Sequence, residues 1–149
     1  MAPAGSEHDQ PTRRAASLLG LAGALPFVAL ALALWWLSEA RGQWALQALI
    51  AYGAVILSFL GGIHWGLALR DAPANGRAFV ISVIPSLLAW TALLLPHTFA
   101  LSLLVVCFVG QLALDMRLHV ARWFRLLRIA LTVVVCTSLL LASMAPTAS

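Results

Sequence analysis

His64, Gln111, Asp115 and Arg128 sit inside otherwise apolar stretches of a chain that carries few charges. Side chains of these types can exchange protons, ligate a metal or haem, line an ion path, or hydrogen-bond across helices. Ser58, Ser82 and Ser86 add hydroxyls at comparable positions, so a serine–histidine–aspartate arrangement is conceivable. No nucleophile elbow or other catalytic motif accompanies it. A metal centre is not expected, because His64 and Asp115 offer two ligands and no further histidine, glutamate or cysteine completes the set. Haem is not expected either: His97 falls at the opposite surface from His64 and cannot share one ring with it. Cys107 and Cys136 lie within apolar runs and read as packing residues.

The elements that position these groups follow from composition. Of 149 residues, 62% are hydrophobic and 9% charged, and mean hydropathy is +0.97. Soluble domains carry about 25% charged residues, so this is the composition of an integral membrane protein. One helical span needs about 20 apolar residues. Five segments qualify, at about 17–38, 44–69, 79–95, 98–118 and 124–144. None alternates like a barrel strand. The expected fold is an all-α, single-domain bundle of five transmembrane helices. Residues 1–16 are expected to form a disordered cytoplasmic tail, and 145–149 an external one.

Charge sets the orientation. With the N-terminus inside, Arg13, Arg14, Arg70, Arg77, Arg117, Arg122, Arg125 and Arg128 collect on the inner side, and Arg41 alone lies outside. That excess predicts N-in, C-out; the membrane is expected to be a bacterial cytoplasmic one. The first segment is too long for a signal h-region and ends in Trp35-Trp36 rather than a small-residue cleavage site. Glu7 and Asp9 argue against a mitochondrial transit peptide. The arginines cluster at helix ends, which does not suggest nucleic-acid binding.

At about 1.5 Å per residue, this topology places His64, Ser82, Ser86, Gln111, Asp115, Arg128 and Thr132 in one leaflet, the inner one. The outer half is almost wholly Ala, Leu and Val. Asp115 lies near a helix C-terminus and Arg128 near a helix N-terminus, each at the end the helix dipole disfavours. A carboxylate within the membrane needs a partner, so an Asp115–Arg128 ion pair is expected, against the alternative that Arg128 snorkels to headgroups. Gln111, Asp115 and His119 recur every four residues as a polar stripe, and Arg125, Arg128 and Thr132 form a similar one. His64 is expected either to act chemically or to hydrogen-bond a neighbouring backbone or Ser86.

Packing has its own signal. Ala54, Ser58, Gly62 and Gly66 recur every four residues, a small-residue ridge of the kind that lets membrane helices approach closely. Gly61, beside His64 on another face, is expected to admit a second neighbour.

The segments LGLAGALPF (19–27), YGAVILSFLGGIHWGLAL (52–69), SVIPSLLAW (82–90) and WFRLLRIALT (123–132), with Asp115, carry a resemblance. Together they resemble the transmembrane protein 69 family, a domain-of-unknown-function family of small bacterial membrane proteins with a mitochondrial inner-membrane relative. The resemblance runs from Leu19 to Thr132. It implies no activity, substrate or cofactor, and it implies that the inner-leaflet residues are those on which the family pattern is built.

The functional expectation is a non-enzymatic protein without cofactor. Its candidate cluster is His64, Ser86, Gln111, Asp115, Arg128 and Thr132, serving a structural, assembly, or apolar-ligand or lipid-binding role. The alternative is a proton or small-solute transporter using the same cluster. Expected partners are the lipid bilayer and either another membrane protein or further copies of the chain. A transport path would also need polar residues in the outer half, or an inverted repeat, and neither is evident.

Overall fold

The computed structural model describes residues 9–70, 76–118 and 121–146, with side chains from Arg13 onward. It contains five helices: α1 (Asp9–Ala33), α2 (Glu39–Arg70), α3 (Gly76–Leu94), α4 (His97–Asp115) and α5 (Arg122–Ser143). Each is long and apolar enough to cross a membrane. Many large apolar side chains point outward, among them Leu25, Val55, Phe59, Leu87, Val106 and Val133. In water such a surface would aggregate; in a bilayer it is the lipid contact.

Successive helices reverse direction. Gly53 meets Leu104 and His64 meets Asp115, so α2 and α4 run parallel. Trp65 contacts Phe79, so α3 runs against α2. Arg13 stacks over Trp123 at 5.9 Å, so α1 and α5 run parallel. The start of α1, the end of α2, the start of α3, the end of α4 and the start of α5 therefore share one end of the bundle, here called the proximal end. Exposed Trp35, Trp36, Trp44 and Trp90 lie toward the distal end, where indole rings suit a membrane–water interface.

α2 is central and packs on α1, α3 and α4. The core is aliphatic and dense: Leu46, Leu49, Leu57, Leu104 and Leu139 have no exposed surface. Phe27 of α1 anchors the middle, with Tyr52 at 5.0 Å and Phe108 at 5.9 Å between ring centroids. The Tyr52 hydroxyl donates to the Gly23 carbonyl at 2.9 Å. Pro26 and Pro85 lie inside α1 and α3, as membrane helices tolerate.

Several boundaries differ from those expected. α1 begins at Asp9, within the segment expected to be a tail, and residues 1–8 lie outside the described residues. α2 begins at Glu39, not near 44, because Glu39 favours a first helical turn and the helix continues beyond its apolar part. α4 stops at Asp115, short of 118. His119, part of the predicted polar stripe, and residues 147–149 of the expected external tail also lie outside the described residues.

The small-residue ridge needs correction. A Cβ added to Gly62 or Gly66 would have nothing within 4 Å, whereas one at Gly61 would lie 2.6 Å from the Ser82 carbonyl oxygen. Ala54 is buried and Ser58 half-buried, but the ridge fades at its proximal end. α3 closes instead on Gly61, about 100° around α2 from Gly62. A spacing of four identifies a stripe; it does not say which stripe meets a neighbour.

Candidate functional site

The proximal third of the bundle brings three helices onto one carboxylate. Arg128 Nε of α5 donates to Asp115 Oδ2 at 2.6 Å. His64 Nε2 of α2 lies 2.8 Å from Asp115 Oδ1. Gln111 Nε2, one turn before Asp115 on α4, donates to the same Oδ1 at 3.4 Å. A carboxylate only accepts, so His64 presents its Nε2–H to it.

Local sequence explains each placement. Gln111 and Asp115 are four apart on α4 and Arg128 and Thr132 four apart on α5, so each pair shares a helix face. Gly61 precedes His64 by three residues. Its missing side chain lets α3 pack on the flank of α2 while His64 turns toward Asp115 of α4. Asp115 is 5% exposed and Gln111 2%, so the cluster is a buried network rather than a surface bridge. Removing one partner of such a pair typically costs about 3–5 kcal/mol, because the other charge stays buried and uncompensated.

The expected residues do not all converge. Ser86 is half-buried on α3 and is not a partner of His64. Ser82 is buried, and its hydroxyl donates to the Phe79 carbonyl at 2.7 Å. Thr132 is buried on the Arg128 face but does not bond to Asp115. The His64–Asp115 bond was foreseen only within a conceivable serine–histidine–aspartate arrangement, and no described serine completes it. Among the described residues, no group of three or more His, Cys, Asp or Glu side chains is placed to hold a metal ion.

The network leaves two buried atoms without a hydrogen-bond partner, Arg128 Nη2 and Gln111 Oε1. Beside it lies a cavity of ≈ 370 Å³ between α1, α2, α4 and α5. Gly23 of α1 leaves room on one wall, where an added Cβ would meet the Tyr52 hydroxyl at 4.0 Å, while Gly20 lets α1 close on Leu131 of α5; Phe27, Phe108, Arg128 and Thr132 line the depth. Its rim includes the exposed Leu19 of α1 and Phe59 and Ile63 of α2. α1 and α2 meet at the Tyr52–Gly23 bond, and proximal to it the crevice opens between their exposed side chains. This cavity was not read from sequence.

With this geometry established, comparison with known proteins is informative. The family model described as "Protein of unknown function (DUF3429)" matches residues 12–144. "Transmembrane protein 69" of Xenopus tropicalis is 39% identical over 131 residues, covering 81% of this chain and 50% of the frog protein. "Transmembrane protein 69" of Mus musculus is 33% identical over 92 residues, covering 57% of this chain and 38% of the mouse protein. The chain thus spans half or less of the length of these relatives. No solved structure matches it. A five-helix apolar bundle and a match across nearly its whole helical length lead to one conclusion: the chain is a multi-pass membrane protein belonging to the DUF3429 family, whose relatives include transmembrane protein 69.

Proposed function

We propose that this protein is a non-enzymatic component of the bacterial cytoplasmic membrane that holds a lipid or small apolar molecule in the proximal crevice. In this reading its N-terminus is cytoplasmic, and the crevice opens toward the inner leaflet. One observation carries the proposal: an apolar cavity of ≈ 370 Å³ whose depth includes the buried side chains of Arg128 and Thr132. Ligand sites are typically concave, mostly apolar, about 300–1,000 Å³ in size and equipped with a few polar groups.

The Asp115 network then has a structural task, fixing α2, α4 and α5 so that the crevice keeps its shape. A transport path would have to cross the closed layer of Leu49, Leu101, Leu104 and Leu139, which has almost no exposed surface. That favours binding over conduction.

The test is to purify the protein in mild detergent and analyse what accompanies it by lipid mass spectrometry and absorbance. A defined molecule should copurify with the wild type and be lost from Gly23→Leu, whose new side chain occupies the crevice. Reconstituted liposomes containing a pH-sensitive dye should show no proton flux. Flux that disappears on changing Asp115 or Arg128 would replace this reading with the transporter.

A further inference from the structure

The apolar walls of the crevice suit a chain, but Arg128 specifies more than a chain. A guanidinium presents several N–H donors in a planar fork, and Asp115 engages only Nε, at 2.6 Å. Nη2 is fully buried and has no partner, although Arg128 is only 9% exposed and lines the cavity. A buried donor left unpaired is unfavourable, the more so on a charged group. Thr132, one turn further along α5, adds a hydroxyl to the same wall.

Size narrows the choice. At about 30 Å³ per water-sized group, ≈ 370 Å³ takes on the order of a dozen such groups. That is the scale of a head and the adjoining part of one hydrocarbon chain, the rest of which extends through the rim into the bilayer, rather than of the two chains of a phospholipid. The exposed Leu19, Phe59 and Ile63 at the rim let such a chain enter sideways from the bilayer.

Building on the reading of the crevice as a ligand site, we propose that its ligand is a single-chain anionic amphiphile whose head oxygen accepts a hydrogen bond from the Arg128 guanidinium, with Nη2 turning from its buried position to meet it. A carboxylate and a phosphate monoester share that chemistry. The hydrocarbon chain lies along Gly20, Gly23 and Phe27, and the head reaches the depth of Arg128 and Thr132.

The experiment measures binding of oleate, oleoyl lysophosphatidate and methyl oleate to the purified protein in dodecyl maltoside, by native mass spectrometry and calorimetric titration. Oleate, oleoyl lysophosphatidate or both should bind about tenfold or more tightly than methyl oleate, which keeps the chain but not the charge. A lead for oleate assigns a carboxylate head, and a lead for lysophosphatidate a phosphate. Gly23→Leu should abolish binding of all three. Because Arg128→Gln alone strands Asp115, the matched double variant Asp115→Asn/Arg128→Gln is used; it should bind oleate and methyl oleate alike.

Equal binding of oleate and methyl oleate by the wild type, lost in Gly23→Leu, would overturn the anionic head and leave the apolar-ligand reading standing. Absence of binding by all three, with a water molecule found bridging Arg128 Nη2 and Gln111 Oε1, would overturn both. A preference for oleate that survives in both variants places binding elsewhere and also overturns the proposal.

Discussion

Adding one methyl group at each of three glycines in α2 should give opposite results at neighbouring positions. At Gly61 the new Cβ would stand 2.6 Å from the Ser82 carbonyl oxygen, and 3.3 and 3.4 Å from Pro85 Cβ and Cγ. Carbon–oxygen contacts between packed helices settle at about 3.3–3.6 Å, so α2 and α3 must separate by about 0.7–1.0 Å. The obstacle is backbone, which cannot rotate aside. A gap of that size forfeits about a quarter to a half of the dispersion attraction across the contact, and overpacking of this kind costs about 1–3 kcal/mol. Gly61→Ala should therefore lower stability by that amount. Gly62→Ala and Gly66→Ala, with nothing within 4 Å, should be neutral or raise stability by up to about 1 kcal/mol, the helix-propensity gain of alanine over glycine. Trimming Pro85 to alanine should not rescue Gly61→Ala, because the closest contact is to Ser82 O. The assay is unfolding in mixed dodecyl maltoside and SDS micelles, followed by far-ultraviolet circular dichroism. Three indistinguishable variants, or a Gly62 variant worse than Gly61, would refute the assignment of the α2–α3 interface.

Asp115→Leu and Arg128→Met should each destabilise the bundle by about 3–5 kcal/mol, while the double variant should cost much less than their sum; additive losses in the same unfolding assay would count against the pair. Tyr52→Phe removes a hydroxyl bonded to the Gly23 carbonyl at 2.9 Å and should cost about 1 kcal/mol, with the α1–α2 crevice more open to hydrogen exchange. No loss on either measure would show that the hydroxyl does not hold the helices together. Reporter enzymes fused to the two ends should report opposite compartments, the N-terminal one cytoplasmic. Finding both in one compartment would remove the orientation on which the inner-leaflet placement of the crevice rests.

Much of the architecture was legible because lipid imposes a simple demand. About 20 apolar residues must run together, and five such runs are visible in the chain. Hydropathy records what lies in lipid rather than where helical hydrogen bonding stops, so the first turn of α2 at Glu39 escaped it. The Asp115–Arg128 contact followed from the cost of an isolated charge and from the short connection between α4 and α5. The partner of His64 did not, because its distance in sequence from Asp115 left Ser86 as plausible a neighbour. Gly61 and Gly62 illustrate the limit of periodicity: adjacent glycines face different surroundings, and only the packed structure distinguishes them. The cavity was the least legible feature, since it consists of side chains that fail to meet.

The convergence of three helices on Asp115 has a consequence for biogenesis. α4 leaves the ribosome before α5, so for a time Asp115 has His64 and Gln111 nearby but no permanent cation. Translocon scales assign about 2.5–3.5 kcal/mol to an aspartate at the centre of a span; Asp115, buried at the end of α4, meets a smaller part of that cost. Among the described residues, the permanently charged partner of Asp115 is Arg128, 13 residues further along the chain. The last two segments are thus expected to enter the bilayer as a hairpin rather than one at a time. A chain truncated before α5 should leave α4 poorly inserted and open to membrane proteases, with the fault lying in the order of synthesis rather than in any contact made by α4 alone.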